Sequence, residues 1–124
     1  MSEKLILSSL PKTWLIDIDG TIVEHNGHLR GDDKILDGVQ DLFAKIAPQD
    51  KVIFLTARKK NHEEKVREFF AKFNIRCDAI IFDLPTGERI LINDKKPSGL
   101  HTAIAVNVDR DSPLMIDFVI DEKI

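Results

Sequence analysis

Five short runs of this chain are apolar at nearly every position: TWLIDI (13–18), VIFLT (52–56), AIIFD (79–83), ILIN (90–93) and AIAVNV (103–108). A strand with one wet face alternates apolar and polar residues. Unbroken Ile, Val and Phe suit strands covered on both faces, as in a parallel sheet. Residues 61–74, NHEEKVREFFAKFN, carry Val66, Phe69, Phe70 and Phe73 at helical spacing, one stripe to lay against that sheet. Asn61, with Glu64 three residues on, predicts a capping box at the start of this helix. A second helix is expected over about 33–46, with Ile35, Val39, Leu42, Phe43 and Ile46 on one side and Gly38 interrupting it. Strand, helix, strand, helix, strand predicts an α/β fold: a Rossmann-like three-layer sandwich with a mostly parallel sheet.

At 124 residues the chain fits a single domain, 1–124, with 43% hydrophobic and 31% charged residues, as in an ordinary globular protein. A net charge of −3 with interspersed signs gives no field to attract nucleic acid. One cysteine, Cys77, excludes an internal disulfide and suits a reducing compartment. The N-terminal apolar segment is too short for a secretory signal, and no run approaches the roughly 20 apolar residues of a membrane span. A cytoplasmic protein with no membrane partner is expected. A further β-prone run, Leu114 to Ile120, reads as an edge strand or a contact between copies, which leaves a homo-oligomer open.

The first run ends in two acids, Asp17 and Asp19, followed by Gly20 and Thr21. Such a pair is costly to bury unless a cation offsets it. Ligands in open α/β sheets bind beyond the carboxyl ends of the strands. Three polar groups fall at such ends: Asp17-Ile18-Asp19-Gly20-Thr21, Thr56-Ala57-Arg58, and Asn93-Asp94-Lys95-Lys96. Residues i and i+2 of an extended chain share a side, so Asp17 and Asp19 face one point. Asp17 with Asp94 makes a carboxylate pair suited to Mg²⁺. Two acids beside a phosphate can divide the work, one attacking phosphorus and the other moving protons, while Thr56 and a lysine hold the phosphoryl oxygens. Asn26-Gly27, between two β-prone pieces, predicts a β-hairpin flap over this edge.

DIDGT after an apolar strand, FLTAR at the end of the second, and LINDKKP at a later one resemble the haloacid dehalogenase superfamily of phosphohydrolases, over roughly residues 12–108. The resemblance implies that Asp17 is the nucleophile, Asp19 the general acid–base, and Thr56 the phosphate-binding residue. It implies that Gly20, Thr21, Ala57, Arg58 and Lys95 line the phosphate site. It also implies Mg²⁺ held by Asp17, the Asp19 carbonyl and Asp94. The superfamily's phosphate-binding lysine usually precedes the last motif. Here the role falls among Lys96, which is favoured, and Lys95, Arg89 and Lys65. Little room remains for a cap domain, so the chain resembles the small capless members. Among these it is most similar to sugar-phosphate phosphatases of capsule and surface-polysaccharide pathways, acting on a small-molecule phosphate ester.

Three other readings stand beside this one. A nucleotide or polynucleotide end phosphatase would need aromatic stacking platforms, and Trp14 and the phenylalanines fall on core positions instead. A receiver-like signalling domain would place its acceptor strand before the threonine strand, the reverse of the order here. A non-catalytic relative would bind phosphate ligands without turnover. His25 and His28 flank the flap tip, where either could meet substrate.

Overall fold

The computed structural model describes residues 3–29 and 31–124, without the side chains of Glu3 and His28. Among the described residues five strands and two α-helices follow in order: β1 (Glu3–Leu7), β2 (Thr13–Asp17), α1 (Val39–Lys45), β3 (Lys51–Leu55), α2 (Glu63–Lys72), β4 (Ala79–Ile81) and β5 (Ile116–Ile120). All pairings between strands are parallel. β2, β3 and β4 form one sheet in that order, with Ile16 beside Phe54 and Phe54 beside Ile80. β1 and β5 form a second, two-stranded sheet. The fold is α/β, as the alternation of apolar runs and helical stripes predicted.

Phe54 shows where the core sits. Its ring stacks on Phe43 of α1 at 5.9 Å and meets Phe70 of α2 at 4.5 Å. Both helices therefore lie on the same face of the β2–β3–β4 sheet, around buried Ile16, Val52, Leu42 and Val66. Period-two alternation sends Leu15, Ile53, Leu55 and Ile81 to the other face, where they remain half-buried or exposed. β5 reaches the main sheet through Phe118, whose ring lies 5.3 Å from that of Trp14. The indole N–H of Trp14 donates to buried Asp50, which also accepts from the Lys12 backbone N–H.

Several boundaries differ from expectation. ILIN (90–93) and AIAVNV (103–108) form no strand; residues 85–115 are irregular, with Ile90 and Ile92 82% and 90% exposed. β1 was not foreseen, and it supplies the partner of the 114–120 run. The first helix begins at Val39 rather than 33 because residues 34–36 pair backwards instead. Glu24 N–H donates to Lys34 C=O and Leu36 N–H to Ile22 C=O, with a bridge between Val23 and Ile35. Gly38 is no blemish: it caps α1 with φ +87°, and any β-carbon there would run into the Leu114 carbonyl. The capping box is not made. A 3-10 turn over Lys60–His62 takes up Asn61, and His62 precedes α2 without a side-chain cap. Glu63 and Glu64 in the first turn complement the helix dipole instead.

Candidate active site

The acidic pair lies where β2 gives out. Asp17 is its last residue, and Gly20, with φ +83°, turns the chain back so that its N–H donates to the Val23 carbonyl. The flap that follows is a short antiparallel return of 34–36 on 22–24, not a two-residue hairpin. Its tip is rounded by Asn26 at φ 55° and a 3-10 turn over Gly27–Leu29. His25 donates its backbone N–H to Asp111.

The cations beside the two acids are arginines. The Arg89 guanidinium donates to Asp17 Oδ1 at 2.7 Å, and the Thr21 hydroxyl donates to Asp17 Oδ2 at 2.9 Å. Asp17 and Arg89 are each about 35% exposed, so the pair opens to solvent. Arg58, only 3% exposed, is gripped on two edges. Its Nε and Nη2 donate to the two oxygens of Asp19 at 2.9 and 2.8 Å. Its Nη1 and Nη2 donate to the two oxygens of Asp33 at 3.0 and 2.8 Å. Burial works against the guanidinium's charge, but the hydrogen bonds and charges of Asp19 and Asp33 outweigh it. Arg58 therefore holds its proton more tightly than a free arginine.

Thr56 is buried at the end of β3, and its hydroxyl oxygen accepts the Arg58 N–H at 3.0 Å. The turn beyond β4 stitches this end down, with Leu84 N–H donating to Thr56 C=O and Asp83 N–H to Arg58 C=O. Ala57 is exposed beside it.

Among the described residues no hydrogen bond or ion pair joins the side chains of Asp94, Lys95 or Lys96 to Asp17 or Asp19. Asp94, Lys95 and Lys96 lie on the exposed irregular stretch. There the Thr102 hydroxyl donates to the Asp94 carbonyl, and a turn joins Lys96 to Leu100. Among the described residues no three His, Cys, Asp or Glu side chains gather as a metal site. With Asp17 held by Thr21 and Arg89, the residues as placed do not fit a Mg²⁺ site. Of the four candidates for the phosphate-binding cation, Arg89 is the one that meets Asp17, rather than the favoured Lys96. Lys65 is exposed on α2.

Three contributors escaped the sequence reading. Asp33 pairs with Arg58, Arg110 packs its side chain over Gly20, and Asp111 donates its N–H to the Gly20 carbonyl. Asp33 lay inside the expected helix, and Arg110 and Asp111 fall between two expected strands, 103–108 and 114–120, so no local pattern marked them. Among the described residues no helix is long and apolar enough to cross a membrane. No protein family matches the chain, and neither a curated protein nor a solved structure does.

Proposed function

We propose that the chain is a phosphomonoester hydrolase acting through an aspartyl-phosphate. The observation that supports it is the succession of Asp17 and Asp19 where β2 gives out, Asp17 hydrogen-bonded to Arg89 and Asp19 to Arg58. Asp17 is partly exposed and aligned by the Thr21 hydroxyl. In the proposed first step an Asp17 oxygen bonds to phosphorus as the phosphorus–oxygen bond of the ester breaks. The leaving oxygen takes that electron pair and a proton from Asp19. In the second step Asp19 takes a proton from water, whose oxygen attacks phosphorus, releasing inorganic phosphate and restoring Asp17. Arg89 is assigned to the phosphoryl oxygens, since a phosphate presented to Asp17 Oδ1 meets its guanidinium at once. The Thr56 hydroxyl is assigned to another phosphoryl oxygen.

The fold would be Rossmann-like, three-layered and capless, with the uncovered face at Leu15, Ile53, Leu55 and Ile81 as the place for a third layer. Mg²⁺ is the cofactor the resemblance implies, through Asp17, the Asp19 carbonyl and Asp94, but these residues as placed do not fit it. Because Asp94 stays on the irregular stretch, no step is routed through the ion. The substrate class is a sugar phosphate of capsule or surface-polysaccharide synthesis, met in the cytoplasm, by a chain able to form homo-oligomers. The nucleic-acid reading gains nothing: among the described residues no exposed large apolar side chain is aromatic, so there is no stacking platform.

Phosphate release should be measured on hexose, heptose, keto-sugar-acid and nucleotide phosphates, with Mg²⁺ and with a chelator. Turnover on a sugar phosphate that falls at least about a thousandfold in Asp17→Asn is expected. Full activity in that variant removes the nucleophile from the proposal. A single uptake of phosphate without turnover points to a receiver, and activity that survives the chelator removes Mg²⁺.

A further inference from the structure

Arg58 has two donor edges, and Asp19 occupies only one of them. The second edge is turned to Asp33, so a single buried cation is shared between two acids. Stability alone is a poor reason for such a triad, because replacing a buried ionic cluster with apolar residues is often neutral or stabilising. Its geometry gives a better reason. A guanidinium is flat and rigid, so two-point contacts on both edges fix its plane as well as its position. The two anchors belong to different segments. Arg58 is pinned at the end of β3 by its N–H to Thr56 and its carbonyl to Asp83. Asp33 leads into the returning limb of the flap, which is pinned through Lys34 to Glu24 and through the Val23–Ile35 bridge.

We propose that Asp33 is a positioning residue that, by holding the far edge of Arg58, fixes the direction in which the Asp19 carboxyl faces the leaving oxygen. This rests on the phosphatase reading above and deepens it. Asp33 touches no reacting atom; it acts through Arg58.

The leaving group supplies the test. An alkyl phosphate departs as a basic alkoxide and needs the Asp19 proton, whereas dinitrophenolate departs unaided. kcat/KM covers only the steps through aspartyl-phosphate formation, so the water step common to both esters drops out. Asp33→Asn should lower kcat/KM about tenfold or more on an alkyl phosphate, and less than about threefold on dinitrophenyl phosphate. Asp19→Asn should show the same contrast, enlarged. Equal losses on both esters in Asp33→Asn, or no loss on either, overturn the inference while leaving the phosphatase reading intact. Wild-type protein inert toward both esters sinks the reading itself. Should Asp33→Asn melt before assay, Arg58→Lys carries the comparison, since a lysine cannot make two-point contacts to both acids. The same contrast is then expected, and equal losses again overturn the proposal.

Discussion

Val52-Ile53-Phe54 and Ile90-Leu91-Ile92 are both unbroken apolar triplets, and the structure treats them in opposite ways. The first is the middle of β3, with Val52 and Phe54 fully buried. The second lies outside any strand with all three side chains exposed. What separates them is their surroundings. β3 has a parallel neighbour on each side, and two helices meet on Phe54. After residue 93 the chain reads Asp-Lys-Lys-Pro-Ser-Gly, which offers no amphipathic helix to cover a strand. An apolar run becomes a strand when an open edge and a cover are both in reach, and the run alone supplies neither.

Paired substitutions can break this comparison. Phe54→Ala should cost about 3–5 kcal/mol in chemical denaturation, whereas Ile92→Ala should stay within about 0.5 kcal/mol. A cost above about 2 kcal/mol for Ile92→Ala would mean that the second triplet packs against the sheet in solution. Gly38→Ala sharpens the comparison, since Leu114, just ahead of β5, docks on the ordered half there. The positive φ and the blocked β-carbon together should lower stability by about 2 kcal/mol or more, read as a fall in the denaturation midpoint. An unchanged midpoint would detach the 109–114 segment from α1.

The smallest effect is one of pH. The Asp78 carboxylate accepts the Val52 N–H at 2.8 Å and lies beside Arg76, and these hold it below the usual carboxylate range, the backbone bond foremost. A lowered folded value means that the stabilisation is whole above the unfolded value and is lost as pH falls through the folded one. The melting-temperature gap between wild type and Asp78→Asn should thus be full at neutral pH and close below about pH 4. A gap independent of pH would show that the carboxylate charge plays no part.

The α2 stripe was legible because Val66, Phe69, Phe70 and Phe73 repeat at helical spacing whatever they pack against; Val66 and Phe70 are buried as that spacing requires. The β2 and β3 runs were legible for the same reason of local density. The start of α1 was not, because residues 34–36 answer to the backbone of 22–24 across the flap. The Asn61 cap failed because a 3-10 turn claimed the residue first. In the site, Asp17 and Asp19 were visible as acids ending an apolar run. Arg58 was visible too, as a phosphate contact; that it holds Asp19 was not. Asp33 and Arg110 carry no local signature, since each acquires its place from a segment distant in sequence.

By itself the sequence determined the helical stripe of α2, the runs that become β2 to β4, and the acids that close β2. Each of these follows from neighbours within a turn or two of chain. Only the tertiary structure decided which apolar runs pair and which cation each acid meets. Those outcomes depend on edges and charges brought together across tens of residues, and Arg58, set between Asp19 and Asp33, is the clearest instance.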